Sequence, residues 1–142
     1  MNPRTFYKVV RRTEYGELVS CAVENPELIV QYRPGEWAEA RVGGLLVFTD
    51  YQPADLLAGA LYVASRATFE VWTCEVSERV RLPEFSLTRT DFRDLVELLW
   101  GSEDVRAIRH QLWPARLEFW PEATQAYRRV KLLERADGRR KQ

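Results

Sequence analysis

Histidine occurs once, at His110, cysteine twice, at Cys21 and Cys74, and methionine only at the first position. Each scarcity excludes something. Two cysteines and one histidine supply neither a closed zinc site nor the disulfide framework that staples small secreted domains. The two thiols, each inside a β-like run, read as buried and free. No apolar run approaches the ~20 residues that cross a bilayer. Met-Asn-Pro-Arg-Thr-Phe lacks the apolar core of a secretion signal, so a cytoplasmic protein without membrane contact is expected. Neither G-x-G-x-x-G nor the P-loop pattern occurs; Gly43-Gly44 therefore reads as a backbone device, and no cofactor is expected. Formal net charge is zero, which argues against direct nucleic-acid binding. Lysine appears only three times against eighteen arginines, and isoleucine only at Ile29 and Ile108, a bias that fits a GC-rich, thermophilic host.

What is present is a globular chain of 142 residues, 46% hydrophobic and 30% charged. That length buries a core without metals or disulfides. One domain over 1–136 is expected, followed by a basic flexible tail over 137–142. Charge is unevenly placed. Arg128 to Gln142 holds seven basic residues against two acidic, and Glu84 to Asp104 six acidic against two basic. Such asymmetry steers and orients a charged partner.

Phe6 to Arg12 is rich in β-formers and reads as a strand. Glu14-Tyr-Gly-Glu17 is a turn, with Gly16 free to take positive φ, and Leu18 to Val23 returns as a second strand. Asn25-Pro26 breaks it, Leu28 to Arg33 is a third, and Pro34-Gly35 turns the chain ahead of Trp37. Leu45 to Thr49 reads as a strand buried on both faces. Asp50 to Pro53 opens a helix whose Ala54, Leu57, Ala58, Leu61 and Tyr62 pack on a sheet. Phe69 to Val76 is the best central strand, with Phe69, Val71, Thr73 and Glu75 on one face and Glu70, Trp72, Cys74 and Val76 on the other. Thr88-Arg-Thr-Asp91 has capping-box form ahead of an amphipathic helix through Phe92, Leu95, Val96 and Leu99. Ser102 to Gln111 suggests another short helix, and Tyr127 to Arg135 a last strand. The fold class expected is α+β: a mostly antiparallel five- to six-stranded sheet with two or three packed helices.

No reactive constellation stands out. His110 titrates near neutrality but has no serine or cysteine nucleophile motif beside it. Glu36, Glu39, Glu75 and Glu78 could pair as glycosidase-type carboxylates, although solvated surface charge is the plainer reading. The aromatic weight (Tyr32, Trp37, Phe48, Trp72, Trp100, Trp113, Phe119 and Trp120) belongs mostly in a core. Trp113-Pro and Phe119-Trp-Pro, close to Arg109 and Arg116, instead have the character of exposed interface anchors. The expected partner-binding set is Asp91, Asp94, Glu97, Trp100, Arg109, Trp113, Arg116 and Trp120, with no catalytic, cofactor-binding or metal-binding residue.

The succession Tyr7-Lys-Val-Val, Leu18-Val-Ser, Gln31-Tyr-Arg-Pro-Gly-Glu-Trp37, Gly44-Leu-Leu-Val-Phe48, Phe69-Glu-Val-Trp-Thr-Cys-Glu-Val76 and Val130-Lys-Leu-Leu-Glu-Arg135 resembles small domains of phage and prophage genomes. Size, arginine-rich composition and this pattern together are similar to the small Thermus-phage inhibitors of host RNA polymerase. That resemblance implies a monomeric, non-enzymatic protein in the host cytoplasm that binds the polymerase β flap and sigma factor and redirects transcription, with Pro83 to Gln125 as the contact surface. A second resemblance, of Gly44 to Tyr51 followed by a helix and Val71 to Val76, is to the middle of the ADP-ribosyltransferase fold. It implies an NAD-using enzyme or a degenerate relative; the E-x-E or Q-x-E form is absent from the strands that would carry it. A virion structural part is the third alternative.

Overall fold

The structure, a computed structural model, describes residues 5–21, 29–41, 43–82, 86–87, 117–118 and 123–137. β1 (Phe6–Arg12) has the predicted bounds. It turns through Gly16, which sits at φ +85°, into β2 (Leu18–Ser20). A side chain at that φ would be strained, whereas glycine is not. β3 (Gln31–Tyr32) and β4 (Trp37–Glu39) flank the Pro34-Gly35 turn, whose Gly35 N–H donates to the Leu132 carbonyl at 2.8 Å. β5 (Leu45–Phe48) leads into α1 (Tyr51–Ser65), then β6 (Thr68–Val80). β7 (Ser86–Leu87) pairs with β8 (Leu117–Glu118) in a two-stranded ladder, and β9 (Thr124–Arg135) is the last strand.

The pairing closes a ring. β1 lies between β5 and β6, and β9 pairs with both of those strands from the far side. The four antiparallel strands β1, β5, β9 and β6 form a closed barrel, extended by β2 and β3 beyond β1 and by β4 beside β9. β6 and β9 make closure possible because they are long enough, at 13 and 12 residues, to bend around two partners each. A register shift between Trp72 and Cys74 accommodates the bend, and Glu78 sits at φ +62° within β6. Bulges of this kind let a sheet coil into a barrel.

The expected α+β sheet with two or three packed helices is therefore corrected. The fold is mostly β, one helix is found among the described residues, and the sheet curls on itself. Period-2 alternation places residues on two faces, and here one face becomes an interior. Val10, Tyr32, Ala38, Val47, Cys74, Val130 and Leu132 fill that interior. Val9, Phe48 and Val71 face outward under α1, which approaches through its small residues Ala54 and Ala58. Tyr62, expected on the packed stripe, is instead exposed, with the Arg66 guanidinium 5.7 Å from its ring centroid. The helices expected from Phe92 to Leu99 and Ser102 to Gln111 lie outside the described residues. No helix among the described residues is long and apolar enough to cross a membrane.

Candidate functional site

All eight residues of the expected partner-binding set (Asp91, Asp94, Glu97, Trp100, Arg109, Trp113, Arg116 and Trp120) lie outside the described residues, as does His110. Gly44 does serve backbone geometry. A Cβ there would stand 3.1 Å from the Ala126 Cβ and 3.3 Å from the Val80 Cβ, so glycine lets β5 close on β9 and β6. Three of the four candidate glutamates are ion-paired: Glu39 and Glu78 share Arg128, and Glu75 pairs with Lys131. Three places in the described structure gather chemistry.

The first is the outer face of β4, β9 and β6. Strand register places Trp37, Lys131 and Glu75 in one row, and Glu39, Arg129 and Ser77 in the next. Arg128 donates from Nε to Glu39 at 3.0 Å and lies 3.9 Å from Glu78; Arg129 donates to Glu78 at 3.1 Å. Lys131 pairs with Glu75 at 3.2 Å and holds its ammonium 5.0 Å from the Trp37 ring centroid. Exposed ion pairs add little stability, but these orient the long side chains and cancel one another's charge. Between them Trp37 and Leu133 each remain 46% exposed. A large ring and an aliphatic side chain framed by ordered, mutually neutralised charges have the make-up of a protein contact patch.

The second is the Glu70 carboxylate, on the interior face of β6 and only 1% exposed. Arg12 grips it with Nε and Nη2 while donating Nη1 to the Gly16 carbonyl at 2.8 Å. The Trp72 indole donates to it at 3.0 Å, and Arg135, itself bonded to Asp137, stands 3.7 Å away. Burial alone would raise the Glu70 pKa. The hydrogen bonds from Arg12 and Trp72, with the charges of Arg135 and Arg12, outweigh it and hold the carboxyl below its ordinary value. A carboxylate so fully engaged is a latch tying the β1–β2 turn, β6 and the end of β9. It is not a general acid.

The third is the barrel interior around Lys8, 6% exposed. Its Nζ donates to the Leu46 carbonyl at 2.6 Å and lies 5.5 Å from the Tyr32 ring centroid. Burial disfavours the ammonium and lowers the Lys8 pKa. Burial likewise pushes the Cys74 thiol up to about 12 and raises Cys21 and Tyr32. The expectation of free thiols is met: Cys74 is buried and Cys21 half-buried. The Tyr32 hydroxyl is buried without a hydrogen-bond partner among the described residues. Ser20 lies near enough to ease its ionisation slightly, yet the Ser20 hydroxyl is committed to Val30, accepting from its N–H at 3.0 Å.

Sequence reasoning passed over Lys8, although a signal exists. Phe6, Lys8 and Val10 alternate on one face of β1, so a charge stands where the period-2 rule demands an apolar side chain. No protein-family model matches this chain, and no curated protein or solved structure matches it.

Proposed function

We propose that the protein is a monomeric, non-catalytic binding module that acts on another protein, and that its target is the host transcription machinery, RNA polymerase with its sigma factor. The observation that carries the binding reading is the outer face of β4, β9 and β6. There Trp37 and Leu133 stay exposed on a rigid barrel wall while the surrounding charges are spent on one another. Aromatic anchors on a preorganised surface lose little conformational freedom on binding. The choice of target rests on the likeness of the strand succession to phage domains and to the small polymerase inhibitors among them.

The test uses purified RNA polymerase, core and sigma-bound, from a GC-rich thermophilic bacterium. The expected result is saturable binding to one of the two forms, with Trp37→Ala weakening it by about tenfold or more, as a ~1.4 kcal/mol anchor would. Trp37 is half-exposed, so the same substitution should change folding stability by less than ~0.5 kcal/mol. Absence of binding to either form removes the polymerase as target. Binding that Trp37→Ala leaves unaltered moves the contact away from this face.

A further inference from the structure

Independently of the Trp37 face, α1 presents a surface that its own chain does not explain. It lies outside the barrel against β1, β5 and β6, where a helix ordinarily turns a charged face to solvent. Only one of its fifteen side chains is charged: Asp55, which accepts a hydrogen bond from the Tyr51 hydroxyl at 3.4 Å. Gln52, Leu56, Gly59 and Val63, at i, i+4, i+7 and i+11, stack in one outward row. Leu56 is 68% and Val63 71% exposed, and Ala60 beside them is exposed as well. Gly59 is the second anomaly. Glycine weakens a helix interior relative to alanine, yet a Cβ at Gly59 would meet nothing within 4 Å, so the chain's own packing does not require it.

We propose that α1 is the contact through which two copies of this chain associate, as an antiparallel pair of helices about a two-fold axis. The row is self-complementary about a point between Leu57 and Ala58. In an antiparallel pair with its axis there, Leu56 of each copy faces Gly59 of the other, a side chain set into a socket, and Val63 faces Gln52. The charges at the two ends of the helix obey the same axis. Asp50 precedes the first turn without a side-chain bond to it, and Arg66 closes the last turn. Both are exposed, and neither is ion-paired among the described residues. The antiparallel pair brings each Asp50 alongside the other copy's Arg66 and opposes the two helix dipoles, whereas a parallel pair would set Asp50 against Asp50. Fifteen residues make a helix about 22 Å long, and one such face buries less than the ~800 Å² per partner of a stable interface. The dimer is accordingly weak, with a dissociation constant of about 100 µM. In dilute solution the chain remains the monomer that meets a partner through Trp37.

Sedimentation equilibrium of the full chain, from about 5 to about 500 µM, reads the association. The wild type is expected to pass from the mass of one chain towards that of two. Leu56→Glu places a charge in the row at an exposed position. It should keep the chain monomeric throughout, with an unchanged urea midpoint in dilute solution. The end charges give the sharper test. Asp50→Arg and Arg66→Asp should each weaken self-association about tenfold. An equimolar mixture of the two variants should associate more tightly than either alone, close to wild type, because each contact between positions 50 and 66 then joins opposite charges. A mixture no tighter than its components overturns the antiparallel pair. A dimer that Leu56→Glu leaves intact overturns the role of α1. A wild type still monomeric at about 500 µM overturns the proposal, whether residues 88–116 of the same chain or a different protein then proves to cover the row.

Discussion

Glu70 and Lys8 are ionisable groups on neighbouring strands, both facing the interior of one barrel, and the fold treats them in opposite ways. In the β1–β6 register Glu70 lies opposite Val10 and Lys8 opposite Trp72, one interior row apart. Glu70 is met by two arginines and an indole, and its pKa falls; Lys8 is met by one carbonyl and a ring face, and its pKa falls too. For an acid a falling pKa favours the charged form, and for a base it favours the neutral one. Position explains the contrast. Glu70 sits near the end of the barrel, where Arg12 and Arg135 reach it while staying about a third exposed. Lys8 sits mid-strand, where no carboxylate among the described residues pairs with it. The buried carboxylate is compensated because its partners keep one end in water.

The strongest way to break this contrast is to remove the compensated charge. Glu70→Ala leaves the Trp72 N–H without its acceptor and two arginines facing each other at the barrel end. Breaking a buried pair costs about 3–5 kcal/mol. The solvent-exposed ends of Arg12 and Arg135 place this case at the lower figure, about 3 kcal/mol, or a Tm lower by roughly 10 °C. Urea denaturation measures it directly. A loss below ~1 kcal/mol would show the latch to be a surface ion pair like the others, and the contrast with Lys8 would collapse.

Lys8→Met applies the same logic with the opposite sign. The substitution keeps the length of the stem, removes an amine that burial penalises, and forfeits one bond to the Leu46 carbonyl. Replacing buried ionisable groups by apolar ones of similar volume is often neutral or stabilising, and the lost bond takes back about 1 kcal/mol. The expected outcome is a stability equal to wild type or up to ~1 kcal/mol higher. A loss above 1 kcal/mol would mean that the seam between β1 and β5 depends on Lys8 for closure.

The two groups also shape the pH profile in separate windows. Glu70 has a folded pKa below its ordinary 4.5. Its stabilisation is therefore complete above that value and is lost as pH falls through the folded pKa. Lys8 has a folded pKa below 10.5, so the unfolded chain binds more protons between the two values and stability rises with pH across that window. Cys74 and Cys21 are raised above 9.0; above pH 9.0 the unfolded thiols lose protons that the folded ones keep, and stability falls. Denaturation midpoints should thus carry three separable contributions: an acid-side loss from Glu70, a rise towards pH 10.5 from Lys8, and a fall above pH 9.0 from the thiols. Glu70→Gln should flatten the acid side, Lys8→Met the rise below pH 10.5, and Cys74→Ala part of the alkaline fall. A profile that none of the three changes would refute the assignments.

Alternation made much of the barrel wall readable in advance. β1 has its predicted bounds, and the two faces of β6 divide as Val71 against Trp72 and Cys74. Closure was not readable. Alternation tells which residues share a face, whereas curling depends on β1 finding a partner on each side, and such pairings are long-range. β4 was missed for the same reason: Trp37-Ala-Glu39 is too short to carry a period, and only pairing with β9 makes it a strand. Trp37 was legible as part of a heavy aromatic set but not as exposed, because exposure depends on which wall of the barrel it occupies. Lys8 and Glu70 were both visible as charges on apolar faces. The difference between them was not, since the arginines that settle Glu70 come from strand ends 58 residues before it and at the end of β9.

The smallest effect sharpens the comparison most. Tyr32 pairs with Leu18 across β3 and β2, and its ring lies in the barrel beside Lys8 while its hydroxyl bonds to nothing among the described residues. Tyr32→Phe keeps the ring and deletes the orphan. If the hydroxyl contributes only a desolvation cost, the variant should gain up to about 1 kcal/mol, read as a rise in the urea midpoint at unchanged m-value. A loss instead would mean that the Ser20 hydroxyl turns from Val30 to satisfy Tyr32, and that the interior is as well compensated around Lys8 as around Glu70. The sign alone decides between an interior with a polar group held in reserve and one in which every donor is already spent.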